Sequence, residues 1–182
     1  AIMVGIATVK SDDPLLTCRL EGRTVRHPVR IVLDPRLHIS PQSRLVQSAH
    51  EAPLWIICAP TSVGGKKAQQ LQDMGVRVAG ISLDKASHID LVQLVAFLGA
   101  EGIDSVLLES AGRLAEHALK AGLVQKVQVY VAPQFYGAAV RRKSTVGVVA
   151  EPFVARLGLP ASVRLIGEDV LIEYEVAPCS QA

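Results

Sequence analysis

The stretch DSVLLESAGRLAEHALKAGLVQKVQVYVA, residues 104–132, holds a strand pattern, a helix pattern and a second strand pattern in close succession. The apolar run SVLL ends at Glu109, and small residues lead into the amphipathic run GRLAEHALKAG, which stops at Gly122. The run KVQVYV follows at once. The order of strand, tight turn, helix and strand predicts a βαβ unit, from which α/β proteins are built.

The rest of the chain continues this alternation of apolar, β-branched runs with amphipathic ones. Strands are predicted at residues 1–6, 28–34, 53–59 and 75–81. Helices are predicted at 64–75 and 88–102. One face of the second helix should consist of Leu91, Leu94, Val95 and Leu98.

The C-terminal run VRLIGEDVLIEYEV, residues 163–176, differs because two alternating segments are joined at residues 167–169. This pattern predicts an antiparallel hairpin. A long loop with a short helix is expected for residues 137–160. The whole pattern predicts an α/β fold with a mixed, mostly parallel sheet flanked by helices and a C-terminal antiparallel hairpin. No linker or repeat interrupts it, so a single domain is expected to span residues 1–182.

The composition limits the classes of function. The chain has 182 residues, 49% of them hydrophobic, and a mean hydropathy of +0.32, which favours strands covered on both faces. No apolar run reaches about 18 residues, so no membrane span is predicted. The net charge is only +2, with one short basic run at residues 141–143, so a nucleic-acid partner is not expected.

The three cysteines are far apart, which argues against a disulfide framework and against a zinc site and fits a cytoplasmic protein. The chain opens directly on the apolar run AIMVGIATV, which lacks the basic segment and cleavage site of a signal peptide. Since no methionine precedes this run, we expect the sequence to be N-terminally incomplete.

Ligands of α/β sheets gather where parallel strands end, so residues that follow the predicted strands are the site candidates. At residues 109–112, the amides that open a helix favour a phosphate, and Glu109 is placed to accept hydrogen bonds from an amino or hydroxyl group. The alternative is that Glu109 merely caps its helix. The run Asp12-Asp13-Pro14 is, from the residues alone, best interpreted as a turn in which the acids bind nearby backbone amides. The remaining candidate segments are residues 8–19, 34–36 and 132–137.

Three blocks, AIMVGIATVKSDDPLLTCR, PVRIVLD and GIDSVLLESAGRLAEHALKAGLVQKVQVYVAPQFYG, follow one another with the spacing of a known family. Over residues 1–137 the chain resembles the reductase half of the bacterial riboflavin-biosynthesis deaminase/reductase. The resemblance implies a dihydrofolate-reductase-like fold, a homodimer and reduction by NADPH. The implied substrate is a phosphorylated ribosylaminopyrimidine, 5-amino-6-(5-phosphoribosylamino)uracil, whose ribosyl group becomes ribityl. The zinc pattern of the deaminase half, His-x-Glu with Pro-Cys-x-x-Cys, is absent from the sequence.

The resemblance also implies roles for individual residues. Contacts to substrate fall on Leu16, Arg19 and Glu109, where an arginine suits a phosphate because it binds bidentately. Arg36 is our own candidate for the 2′-phosphate of NADPH. Asp12 and Glu109 are the candidate catalytic residues, and the sequence leaves open whether Asp12 or a bound water supplies the proton. Contacts to the cofactor fall on Thr8, Asp12, Pro35 and residues 111–117, which include Ala111, Gly112, Arg113 and Leu114.

Two other interpretations remain at this stage. The same fold could reduce a pterin or another heterocycle, because a fold alone does not fix a function. The chain could also be an inert binding module, since Ser110 and Ala111 stand where the family commonly has two glycines.

No metal ligand is predicted. The histidines are expected on surfaces and helix faces, at His27, His38, His50, His88 and His117.

Overall fold

The computed structural model describes residues 1–19, 25–110, 112–134 and 157–176. Contacts between Cα atoms divide the chain into two compact units, Ala1–His117 (the first unit) and Ala118–Ala182 (the second unit). Within the described ranges, every helix is too short or too polar to cross a membrane.

The first unit contains a sheet of five parallel strands. Their spatial order, β4-β3-β2-β1-β5, places the first strand of the chain between the second and the fifth. The predicted α/β class with a mostly parallel sheet is confirmed. The strands are β1 (Ile2–Gly5), β2 (Arg30–Leu33), β3 (Leu54–Cys58), β4 (Arg77–Gly80) and β5 (Leu107–Leu108).

The sheet carries apolar side chains on both faces. Along β2, Val32 belongs to one buried cluster, whereas its neighbours Ile31 and Leu33 belong to another. Successive side chains of a strand point to opposite faces, so each cluster covers one side of the sheet. This two-sided burial explains why the central strands appear in the sequence as continuous apolar runs.

The helices surround these strands. Asp90 caps the fourth helix by accepting hydrogen bonds from the amides of Val92 and Gln93. On the face predicted for this helix, Leu94 and Leu98 are buried, whereas Val95 is 46% exposed and lies at the edge of the buried part. The helices are α1 (Ile6–Asp12), α2 (Arg44–Gln47), α3 (Lys66–Asp73), α4 (Leu91–Ala100) and α5 (Arg113–Lys120), with a short 3-10 helix at Pro60–Ser62.

The second unit contains an antiparallel sheet of three strands in the order β6-β8-β7. These are β6 (Lys126–Val131), β7 (Ser162–Ile166) and β8 (Asp169–Glu175). The predicted hairpin is confirmed, and Gly167 has a φ of +63° in its turn, where glycine carries no steric penalty. The loop and helix expected at 137–160 lie mostly outside the described residues, which resume at 157.

The quoted stretch, residues 104–132, forms the predicted strand, helix and strand, but the βαβ interpretation was wrong about pairing. β5 belongs to the parallel sheet and β6 to the antiparallel one. The alternation of polar and apolar residues in KVQVYV is typical of antiparallel strands with two unlike faces. The order of elements along the chain is the same whether β6 joins the parallel sheet or a separate antiparallel one, so the sequence pattern did not decide between them.

Arg30, the first residue of β2, is fully buried. Its Nη1 donates to the carbonyl of Leu15 at 3.1 Å and to the hydroxyl of Ser48 at 2.8 Å. Its Nη2 donates to the carbonyls of Ser48 and Ala52. Burial lowers the pKa of Arg30, and the charge of Glu51 opposes that effect. One guanidinium therefore joins three segments that are distant in sequence.

Replacing Arg30 by alanine would leave three backbone carbonyls without this donor. We expect the free energy of unfolding to fall by about 3–5 kcal/mol. Urea denaturation followed by the fluorescence of Trp55, the single tryptophan, measures the loss in the first unit. The matched control is Arg36→Ala, which removes an exposed arginine and should change stability by less than about 0.5 kcal/mol. Equal losses in the two variants would contradict the bracing role of Arg30.

Candidate active site

The predicted site residues follow three neighbouring strands. Thr8 and Asp12 lie on α1, directly after β1, while Pro35 and Arg36 follow β2. Glu109 follows β5, and its amide donates to the carbonyl of Met3 in β1 at 3.0 Å. Since β2, β1 and β5 are adjacent and parallel, these segments leave the sheet at the same edge.

A cavity of about 350 Å³ contains all three residues predicted to contact substrate, namely Leu16, Arg19 and Glu109. It extends back to Ile2, the first residue of β1, and to Pro28, before β2. The cavity therefore reaches along the strands, beyond the carboxyl edge where ligand residues were expected. It is lined by Ile2, Pro14, Leu15, Leu16, Thr17, Cys18, Arg19, Pro28, Arg44 and Glu109.

One wall of the cavity, residues 14–19, is held by backbone turns and long-range hydrogen bonds. Asp13 caps the C-terminus of α1 with a φ of 39°, and Leu16 has a φ of 54°. Asp13 Oδ1 accepts from the amide of Arg44 at 2.9 Å, and Arg30 donates to the carbonyl of Leu15. The turn interpretation was thus wrong about Asp13, whose partner lies 31 residues away instead of nearby.

Arg44 is a residue that the sequence did not single out. It opens α2 within the ordinary run SPQSRLV, and only the Asp13 contact brings it to the cavity. With Arg19 it provides two cationic side chains, and Glu109 provides a carboxylate. This set of charges suits a ligand that has an anionic group at one end and hydrogen-bond donors at the other.

The residues predicted to contact the cofactor do not line this cavity. Gly112, which precedes α5, has a φ of +88°, and a Cβ added there would meet no atom within 4 Å. A methyl group added at Gly5 would lie 3.7 Å from Leu114 Cδ2, so the start of α5 lies beside the end of β1. Open space at the start of a helix fits a pyrophosphate, because the backbone amides of a first helical turn point outward. Ala111 lies outside the described residues.

The turn after β2 positions Pro35 and Arg36. Asp34 is fully buried, and its Oδ2 accepts from the amide of Ile39 at 2.8 Å. The carbonyl of Pro35 accepts from the amide of Ala59 at 3.0 Å. These bonds fix the backbone of the turn, while the side chain of Arg36 is exposed.

Two cysteines in the first unit have different environments. Cys58 is buried at the end of β3, and burial, reinforced by the charge of Asp34, raises its pKa to about 11. Its thiol therefore stays protonated near neutral pH. Cys18 is half-buried and lines the cavity.

The sequence matches a known family over nearly its whole length. Residues 1–172 match the RibD C-terminal domain. The chain belongs to that family. It is 35% identical over 177 residues to the riboflavin biosynthesis protein RibD of Actinobacillus pleuropneumoniae, covering 97% of this chain and 46% of that protein. It is 34% identical over 179 residues to the 2,5-diamino-6-ribosylamino-4(3H)-pyrimidinone 5′-phosphate reductase of Methanothermobacter thermautotrophicus, covering 97% of this chain and 79% of that reductase.

Solved structures show the same RibD-type fold. RibD of Acinetobacter baumannii, form 2, superimposes with a TM-score of 0.70 at 24% identity, covering 96% of this chain and 46% of the other. A pyrimidine reductase-like protein from Corynebacterium diphtheriae gives a TM-score of 0.70 at 19% identity, covering 97% of this chain and 75% of that one. The chain thus spans about half the length of these two RibD proteins, and most of the length of the Methanothermobacter reductase and of the Corynebacterium reductase-like protein.

Proposed function

We propose that this chain catalyses the NADPH-dependent reduction of 5-amino-6-(5-phosphoribosylamino)uracil to its ribityl form in riboflavin biosynthesis. The observation that carries the proposal is the cavity in which Arg19, Arg44 and Glu109 lie together. A phosphorylated aminopyrimidine offers the matching groups, an anionic phosphate and ring-bound N–H donors. The archaeal relative is named for a phosphorylated ribosylaminopyrimidine as well.

The residues of the cavity bind and orient this substrate. Arg19 binds the phosphate bidentately, and Arg44 adds a second positive charge. Glu109 accepts hydrogen bonds from the amino groups of the pyrimidine and so fixes the direction in which the ribosyl carbon C1′ points. These contacts specify a phosphorylated pyrimidine, and an unphosphorylated pterin would leave both arginines without an anion.

The start of α5 and the turn at Pro35 hold the cofactor. Amides that follow Gly112 bind the pyrophosphate, with Arg113 and Leu114 beside them, while Thr8 and Asp12 contact the cofactor from α1. NADPH, when bound, supplies the hydride that reduces C1′ after the ribosylamine has opened to an imine. Asp12 is exposed and does not line the cavity, so we assign it to the cofactor and Glu109 to the substrate.

We further propose that the chain forms a cytoplasmic homodimer through the second unit. Strand register places eight apolar side chains on one face of its sheet. On the same face, Val163 is 59% exposed and Leu165 75% exposed, whereas the other face carries a polar network around Glu173. An exposed apolar face without charges can pair with its own copy around a two-fold axis. It consists of Val127, Val129, Val131, Val163, Leu165, Val170, Ile172 and Tyr174.

Arg19→Ala tests the substrate assignment. Loss of a bidentate, charge-assisted contact should raise KM for the phosphorylated substrate at least about tenfold, with a smaller effect on kcat. NADPH oxidation is followed with the phosphorylated substrate, its dephosphorylated form and the diaminopyrimidinone analogue. Arg26→Ala, which removes an exposed arginine outside the cavity, is the control. If Arg19→Ala affects both phosphorylation states equally, the phosphate assignment fails.

Arg36→Ala tests the preference for NADPH. Because only NADPH has a 2′-phosphate, the variant should bind NADPH at least about tenfold more weakly and bind NADH as before. Fluorescence titration with the two cofactors measures both constants. An unchanged ratio of the two would remove Arg36 from the site.

Leu165→Glu tests the dimer. A charge at the most exposed position of the apolar face should shift the chain from dimer to monomer, as measured by light scattering after gel filtration. Arg164→Gln, on the same strand but the opposite face, should remain dimeric. A wild-type chain that is monomeric at micromolar concentration would contradict the proposal.

A further inference from the structure

Asp84, His88 and His117 lie close together in the first unit, apart from the residues that line the substrate cavity. Each offers one oxygen or nitrogen atom, and these three atoms lie within 4.8 Å of one another. The rings of His88 and His117 meet edge to face, with centroids 4.6 Å apart. Within the described ranges, no other set of three carboxylate, imidazole or thiol groups meets this distance.

The loop between β4 and α4 holds Asp84 and His88 in place. Leu83 and Ile89 form an antiparallel bridge, and the amide of Asp84 donates to the carbonyl of His88 at 2.7 Å. Asp84 Oδ1 accepts from the amides of Ala86 and His88 at 2.8 and 2.9 Å. One carboxylate oxygen is thus used to close the loop, and the other, Oδ2, is directed towards the imidazole.

The separation of Asp84 Oδ2 from His88 Nδ1 is 3.7 Å. This is too long for a hydrogen bond, and His88 Nδ1, which is shielded from solvent, has no hydrogen-bond partner among the described residues. Bonds of about 2.0–2.2 Å at a tetrahedral zinc ion separate two ligand atoms by about 3.4 Å. The two atoms are therefore nearly as far apart as two ligands of one metal ion.

The charge of the group also favours a cation. Asp84 contributes one carboxylate beside the two imidazoles of His88 and His117. One carboxylate with two imidazoles is a donor set for zinc and its transition-metal neighbours, whereas magnesium and calcium prefer oxygen ligands throughout.

We propose that Asp84, His88 and His117 form a binding site for a divalent transition-metal ion of the zinc type. Asp84 and His88 lie in the loop that precedes α4, and His117 lies on α5. A bound ion would therefore crosslink two segments that are 29 residues apart, counted from His88 to His117. Three protein ligands leave a fourth position for water or another small ligand. No metal ligand was predicted from the sequence, because the histidines are spread along the chain and were expected on surfaces and helix faces.

The test is a titration of the full chain with zinc chloride in a calorimeter, without cofactor. Cobalt chloride is the second probe, because its visible absorption reports a tetrahedral ligand field. We expect one equivalent to bind and the unfolding midpoint to rise by a few degrees. His117 belongs to the stretch assigned to the cofactor, so the variants are made at the other two ligands.

Asp84→Asn and His88→Ala should each weaken zinc binding at least about tenfold. Asparagine keeps the Oδ1 acceptor that closes the loop, so this variant separates loss of the ligand from loss of the fold. The matched control is His50→Ala, because His50 is exposed 3.6 Å from Glu51 and forms a similar pair without a third ligand. Absence of binding, or equal affinity in all three variants, would overturn the proposal. The reductase proposal does not depend on zinc binding, so turnover measured without added metal tests it separately.

Discussion

The guanidinium of Arg30 is the constraint on which the candidate active site depends. It is buried at the start of β2 and donates to the chain at Leu15, Ser48 and Ala52. A buried arginine is costly unless its donors are satisfied, so these segments must stay where the guanidinium can reach them. Both Leu15 and Ser48 bear on the cavity of the candidate site, because Leu15 belongs to its wall and Ser48 ends the helix that presents Arg44. Core packing and ligand geometry are thus coupled through one side chain.

The parallel sheet contributes little chemistry of its own. Its strands are apolar on both faces, and they serve to bring three loops to one edge. The charged side chains of the cavity lie outside the strands, since Arg19 and Glu109 follow β1 and β5, and Arg44 opens α2. Such a division places the side chains of the candidate site in a few connecting segments while the sheet supplies rigidity.

Local patterns in the sequence predicted the strands of both sheets, α3, α4, α5 and the final hairpin, because hydrophobic periodicity is a local signal. These local patterns did not predict features that depend on contacts between residues far apart in the sequence. α1 was missed because Ile6–Asp12 continues an apolar strand pattern, and its helical form depends on packing. The pairing of β6, the role of Arg44 and the approach of Asp84 to His117 all join residues far apart in the chain. The prediction that Leu16, Arg19 and Glu109 contact the substrate came from family resemblance, since spacing alone left Glu109 undecided.

The cavity wall is built on two residues, Asp13 and Leu16, whose backbones adopt the left-handed conformation. For residues other than glycine this conformation costs roughly 1 kcal/mol each. Glycine would relieve this strain at either position, but it would also remove the Asp13 carboxylate that accepts from the amide of Arg44 and the Leu16 side chain that packs against the core. The wall therefore keeps two strained backbones because their side chains hold it to the rest of the first unit.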